Sequence, residues 1–195
     1  MSVHPPDPEE VRQRVENAAR LSASYVGLTG EDVEALHREA PRVEPHFPQV
    51  VARVTDSLLG DPEARRVVES SGLSRERAEK LFEDWLRYVF RGDYGASHAL
   101  MVFRIGLAHV RAGVDERLMI CNMGAFAREL LPLVEDSMPL MKALIWNLSV
   151  MIFSYEYVKD LVFREATGIS GGLVDRLIKL YTEKLYQTLR VASQG

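Results

Sequence analysis

A run without a charged residue, ALIWNLSVMIFSY, extends from Ala143 to Tyr155 and constrains the fold more than any other feature of this sequence. Lys142 and Glu156 close the run on its two sides, so it falls well short of the ~20 apolar residues that a membrane-spanning helix requires. A segment this apolar must still be removed from water. We therefore predict a helix that is buried in a protein core and does not span a membrane.

Helix start and stop signals divide the rest of the chain, and neither hairpin turns nor convincing alternating patterns indicate strands. Thr29-Gly-Glu-Asp32 resembles a capping box, and Ser74, Asp93 and Asp115 are typical N-cap residues. The spacing of apolar and capping residues predicts helices over about 9–21, 29–40, 45–60, 61–72, 74–92, 93–113, 115–136, 137–167 and from Ser170 onward. The apolar face predicted for the helix over 74–92 consists of Leu81, Phe82, Trp85 and Val89. The apolar stripe predicted for the last helix consists of Val174, Ile178, Tyr181 and Leu185. We predict an all-α fold of roughly eight helices, several of them too short for a simple up-down bundle.

Charge and cysteine content exclude several classes of function. The net charge of −4 argues against a protein that binds nucleic acid or a membrane surface by charge. The single cysteine, Cys121, excludes a disulfide framework and a zinc site with several cysteines. The first 20 residues are polar and charged and contain no signal-peptide apolar segment. We expect a cytoplasmic domain without a nucleic-acid or membrane partner.

No enzyme signature is present in the sequence. We find no GxxxxGK[ST], GxSxG, HExxH or CxxC motif. Acidic pairs such as Glu9-Glu10 and Glu31-Asp32 lie at predicted helix starts, where they complement the helix dipole. We therefore expect a protein that is not an enzyme.

The histidines are the remaining candidates for chemistry. His98 and His109 share one predicted helix, but they are ~16 Å apart along its axis, too far to bind one metal ion. A single histidine on an apolar helix, such as His109 near Gly106, is usually a hydrogen-bonded core residue. It also meets the modest needs of a haem iron, which are one neutral imidazole and a dry cleft. The apolar side chains available to line such a cleft are Phe82, Trp85, Met119, Met123, Phe126 and Trp146.

The segment Ile105-Gly-Leu-Ala-His109-Val-Arg111 resembles the proximal-histidine segment of globin-coupled sensors and protoglobins. Each of the other matching motifs is loose, and their order and spacing, from about residue 28 to 166, make the resemblance specific. These motifs are Leu28-Thr-x-x-Asp32, Asp61-Pro62-Glu63, Trp85, Gly92-Asp-Tyr94 and Gly113-Val114.

The resemblance implies a globin fold of the sensor type, divided into three regions. Residues 1–27 would be an N-terminal extension with the extra first helix, residues 28–168 the globin domain, and residues 169–195 a C-terminal amphipathic helix. The resemblance also implies haem b (iron protoporphyrin IX), with His109 as the iron ligand and its other ring nitrogen donating to the Ile105 carbonyl. The residues expected to contact the haem or its ligand are Val51, Thr55, Phe82, Trp85, Val89, Ile105, Met119, Met123 and Trp146.

The chain departs from the family pattern at three places. Val54-Thr55 stands where the family commonly has Phe-Tyr, and the tyrosine donates a hydrogen bond to bound oxygen. Leu118-Met119 replaces Trp-Tyr, and His98 stands where a tyrosine is common. We expect binding of a diatomic gas (O2, CO or NO) or redox sensing at the iron, with signalling through a helical dimer interface. The alternative is a haem-free globin-fold domain that docks a signalling partner.

The last two long helices of the globin region predict a homodimer. The helix over 139–166 is apolar around most of its circumference, more than one core-facing stripe requires. We expect it to pair, together with the helix over 115–135, with a second copy. In the alternative, the helix over 170–191 folds back and covers the extra face. The apolar residues of the long helix are Leu140, Leu144, Ile145, Leu148, Met151, Ile152, Tyr155 and Val158.

Overall fold

The computed structural model describes residues 6–169 and 171–192, and every regular element in these ranges is helical. Short 3-10 turns at Glu44–His46 and Leu131–Leu133 follow the second and seventh helices. The predicted all-α class is therefore confirmed. The helices are α1 (Pro8–Val26), α2 (Gly30–Val43), α3 (Phe47–Gly60), α4 (Pro62–Ser70), α5 (Arg75–Arg91), α6 (Ala96–Arg111), α7 (Glu116–Leu130), α8 (Ser137–Thr167) and α9 (Gly171–Ala192).

Side-chain caps start the helices largely where the sequence predicts them. Thr29 and Asp32 form the reciprocal capping box at α2. Ser74 accepts a hydrogen bond from a backbone N–H of the first turn of α5, and Asp115 does the same for α7. These contacts satisfy amide groups that have no partner within the helix. The predicted opening of the last helix at Ser170 lies outside the described residues.

Three local predictions were wrong. The second helix does not end at Ala40 but continues through Pro41 to Val43, because a proline removes only one backbone hydrogen bond from a helix that is otherwise packed. Asp93 does not cap α6. Its carboxylate accepts from the Gly95 N–H within the preceding turn.

The third error concerns Leu81, which we predicted on the apolar face of α5 together with Phe82, Trp85 and Val89. Leu81 is 52% exposed, whereas Trp85 and Val89 are buried. The core-facing stripe of α5 is therefore narrower than the apolar pattern suggests.

The described residues form two compact units, one ending at Tyr155 and one beginning at Glu156. In the first unit, α3 packs against α5 and α7, α2 packs against α5, and α1 packs against α6. The first part of α8 is tied to these helices by polar contacts. Lys142 donates to both carboxylate oxygens of Asp32 at 2.9 Å, and the Trp146 indole N–H donates to the Ala19 carbonyl at 2.9 Å.

The charge-free run lies within α8 and is largely buried, as predicted. Its fully buried residues include Ala143, Leu144, Trp146 and Val150. Among the described residues, α8 is the helix that is long and apolar enough to cross a membrane by length and composition. Half of its most apolar stretch is buried inside the protein.

The second unit contains the last turns of α8 and the amphipathic helix α9. The predicted apolar stripe lies on α9, where Ile178, Tyr181 and Leu185 are exposed and Val174 is half-buried. Gly168, after the end of α8, has a φ of 66°, a left-handed conformation that suits glycine at a helix end.

Candidate functional site

His109 lies in the last turn of α6 with its tautomer fixed by the backbone. Its Nδ1 is 3.0 Å from the carbonyl oxygen of Ile105, which only accepts, so Nδ1 carries the proton. Burial lowers the pKa of His109, and the hydrogen bond to Ile105 only partly opposes this effect. The imidazole is therefore neutral at pH 7, and its Nε2 keeps the lone pair that an iron ligand needs.

Gly106 fixes α6 against α8 just before His109. A methyl group on Gly106 would lie 2.2 Å from the Ser154 Oγ and 2.7 Å from the Met151 carbonyl oxygen, so only glycine fits there. The backbones of α6 and α8 therefore approach each other closely at Gly106. This contact holds the helix that carries the imidazole.

Apolar and aromatic side chains on α5 and α7 pack together. Phe82 and Trp85 both contact Phe126 edge-on, with ring centroids 5.1 and 4.9 Å apart. Met119 and Met123 are buried on the same face of α7 as Phe126, and Val89 is buried one turn after Trp85. These predicted pocket residues therefore lie on two helices whose apolar, polarisable side chains pack together away from water.

Thr55 on α3 carries a buried hydroxyl without a partner. The residue is 1% exposed, and its Oγ1 has no hydrogen-bond partner within the described residues. Val51, one turn earlier, is buried as well. An unpaired buried hydroxyl costs about 1–3 kcal/mol, a cost that a bound polar ligand removes. Since α3 packs against both α5 and α7, Thr55 belongs to the same part of the first unit as their aromatic side chains.

Trp146 differs from the other predicted pocket residues. Its indole N–H donates to the Ala19 carbonyl, and its ring contacts Tyr94 and His98 with centroids 4.9 and 5.2 Å apart. The structure therefore places Trp146 against α1 and the turn between α5 and α6. The next residue, Asn147, contacts α5 instead. The Trp85 indole N–H donates a hydrogen bond to the Asn147 Oδ1 at 3.1 Å. Sequence reasoning missed Asn147, although an amide within an otherwise apolar run was a signal.

His98 is buried at the start of α6, away from the chemistry expected of His109. Its Nδ1 accepts a hydrogen bond from the Tyr94 N–H, and its Nε2 has no partner within the described residues. Burial lowers the pKa of His98 to about 4, although the charge of Asp93 opposes this shift. No group of three or more His, Cys, Asp or Glu side chains among the described residues could hold a metal ion.

The protoglobin family model matches residues 16–162, which is most of the chain and contains every site residue described above. The chain belongs to the protoglobin family. The match begins within α1 and ends within α8, so it includes the second part of α1.

A solved structure supports the fold of this protoglobin chain. The globin domain of the Geobacter sulfurreducens globin-coupled sensor is similar with a TM-score of 0.64 and 24% sequence identity, over 70% of this chain and 96% of that domain. The globin fold predicted from the sequence is thus confirmed. No curated protein matches the chain.

Proposed function

We propose that this protoglobin domain binds haem b through His109 and senses a diatomic gas or a redox change there. The observation that carries the proposal is the half-buried, neutral His109, whose Nδ1 donates to the Ile105 carbonyl while its Nε2 remains free to bind iron. When bound, haem b supplies an iron that takes O2, CO or NO or changes its oxidation state. The chain's residues determine how that iron is held and what surrounds it.

The surrounding residues fit a flat apolar group with a polar ligand on one side. In the described part of the chain, α5 packs on α2 and α3 and α6 packs on α1, whereas α5 and α6 are not closely packed against each other. Phe82, Trp85 and Val89 on α5 exclude water from the distal side. The unpaired Thr55 hydroxyl is the group that offers a hydrogen bond to a diatomic ligand, over a shorter reach than a tyrosine.

An exposed apolar stripe on α8 supports signalling through a homodimer. Ile145 is 41% exposed, and Ile120 on α7 is exposed as well. The neighbouring Leu140 and Leu144 are buried, so the stripe lies outside the core. A two-fold related copy would cover it with the same stripe. The stripe on α8, with 3-4-3-4 spacing, consists of Met138, Met141, Ile145, Leu148 and Ile152.

Haem titration of the purified chain tests the proposal. We expect the wild-type chain to bind one haem with a Soret band that shifts on reduction and again on addition of CO. His109→Ala should abolish or severely weaken this band. His98→Ala is the matched control on the same helix, and it should retain the band because His98 is about three helical turns away.

The same titration separates the two functions that the sequence leaves open. A wild-type chain that folds but gives no Soret band would reject haem binding and favour the haem-free domain that docks a signalling partner. A normal haem spectrum from His109→Ala would reject His109 as the iron ligand.

A further inference from the structure

Asn147 is a buried amide in the middle of the most apolar part of the chain. It lies on α8 and is fully buried. Its Oδ1 accepts the Trp85 indole N–H at 3.1 Å, and its Nδ2 donates to the Ala143 carbonyl at 2.9 Å. Burying an amide is unfavourable unless its hydrogen bonds are made, and a leucine would pack there without that cost. The amide therefore has a directional role that apolar packing does not supply.

The turn between α5 and α6 lies beside Asn147. The Asn147 side chain is close enough to the Tyr94 hydroxyl to oppose the rise in the pKa of Tyr94 that burial causes. The hydroxyl itself donates to the Val89 carbonyl at 2.7 Å. The backbone N–H of Tyr94 donates to Nδ1 of His98 at the start of α6. Tyr94 has a φ of 56°, a conformation rare for residues other than glycine, so these contacts hold it in place. Asn147 thus bonds to Trp85 on α5 and lies near the turn before α6, the helix that carries His109.

The exposed stripe lies beside Asn147 on the same helix. Ile145 precedes Asn147 by two residues and is exposed, and Leu148, the next residue, is half-buried. A helix moves largely as a rigid body, so a shift at the buried amide displaces this stripe as well. The hydrogen bonds that Lys142, Trp146 and Ser149 of α8 make to neighbouring helices go to Asp32, Ala19 and Ser22, which lie on α1 and α2.

We propose that Asn147 is the positioning residue through which Trp85 on α5 acts on α8 and its exposed stripe. The inference rests on the proposed haem function and specifies how the haem site is linked to signalling. A ligand that displaces the Trp85 indole lengthens or breaks its hydrogen bond to Asn147, and α8 adjusts. The coupling is reciprocal, so a change at α8 alters ligand affinity by the same factor.

Hydrogen–deuterium exchange of the α8 peptide over residues 140–155 tests the inference on the full haem-loaded chain. The peptide is compared in the ferrous protein with and without CO. We expect a CO-dependent difference in the wild-type chain. In Asn147→Leu this difference shrinks about threefold or more, while the Soret band and CO spectrum remain. A merely structural role would lower stability in both states and leave the CO-dependent difference unchanged.

Ser149→Ala is the matched control, because it removes one α8 hydrogen bond, to Ser22, without touching Trp85. It should keep the wild-type difference. Trp85→Phe removes the donor of the same hydrogen bond, so it should reproduce the loss expected in Asn147→Leu. This second variant keeps the inference testable if Asn147→Leu does not fold.

Two outcomes overturn the inference. One is a full CO-dependent difference in Asn147→Leu or in Trp85→Phe. The other is a wild-type chain with a normal CO spectrum but no difference over residues 140–155. Failure of the proposed function is a separate observation, namely a wild-type chain without a Soret band.

Discussion

Thr55 and His98 are both buried, and each has one side-chain atom without a hydrogen-bond partner among the described residues. We assign different roles to these two unpaired atoms. Thr55 lies where the resemblance expects the group that donates to a bound ligand. His98 has one paired nitrogen, and its contacts are with the rings of Tyr94 and Trp146. We interpret the first as a ligand-facing group and the second as part of the turn between α5 and α6.

Substitutions at Thr55 should change the rate of oxygen release. Thr55→Val removes the hydroxyl at nearly constant volume, and a lost hydrogen bond of about 1.5 kcal/mol corresponds to roughly tenfold faster release. Thr55→Tyr should slow release because the phenol has a longer reach. Stopped-flow displacement of O2 by CO measures these rates. Equal rates for all three proteins would show that residue 55 does not face the ligand.

The pH dependence of stability should report on His98. Its pKa is about 4 in the folded domain, whereas an unfolded histidine titrates near ~6.5. Between these values the unfolded chain binds more protons, so the free energy of unfolding falls as the pH falls. We expect a loss of about 2 kcal/mol between pH 7 and pH 5 from this group.

His98→Asn provides the comparison for that loss. The asparagine Oδ1 can accept the Tyr94 N–H in place of Nδ1, and the amide does not titrate. Denaturant unfolding at pH 7 and pH 5 should therefore show a smaller loss in the variant. An identical loss in both proteins would assign the pH dependence to other groups.

At the level of helices, the sequence predicted the elements well because their ends are local. Thr29, Ser74 and Asp115 cap helices through contacts a few residues away. The errors arose where packing between segments that are distant in the chain determines whether a residue is helical or buried. Pro41 remains helical within a packed helix, and Leu81 is exposed although its neighbours suggested a core face.

The same reasoning explains what the sequence predicted of the candidate site. The Ile105–His109 hydrogen bond spans one helical turn, so it was foreseeable from the local sequence. The partner of Asn147 was not, because Trp85 is 62 residues away along the chain. Trp146 and Asn147 are adjacent, yet their side chains leave α8 in different directions, towards α1 and α5 respectively. Only the packing of α8 against these helices determines which of the two residues contacts α5.

Substitution of Gly106 should weaken the contact between α6 and α8. Gly106→Ala places a methyl group against the Met151 carbonyl and the Ser154 hydroxyl, so we expect a loss of about 1–3 kcal/mol in the free energy of unfolding, with weaker haem retention. Denaturant unfolding measures the first effect.

Gly124→Ala on α7 is the control for Gly106→Ala. A methyl group on Gly124 would have no atom within 4 Å, so the change should be neutral or stabilise by up to about 1 kcal/mol. Equal stability of Gly106→Ala and the wild-type chain would show that α6 and α8 are not fixed at this point.

At the level of the whole molecule, the exposed stripe on α8, together with Ile120 on α7, should determine the oligomeric state. Ile145→Glu puts a charge into the proposed interface and should convert a dimer to a monomer in sedimentation experiments. Leu81→Glu is the matched control, because Leu81 is also exposed but lies on α5, and it should remain a dimer. A chain ending after Thr167 tests α9. A dimer in this shorter chain places the interface on α7 and α8, whereas a monomeric full chain rejects the proposal.

Rescue of a His109 variant by free imidazole tests the central claim most directly. His109→Gly removes the proposed iron ligand and leaves a space at the end of α6 that imidazole can enter. We predict that His109→Gly gives little Soret absorption with haem and that added imidazole restores a wild-type-like ferrous and CO spectrum. A wild-type spectrum from His109→Gly without imidazole would contradict the claim that His109 attaches the haem.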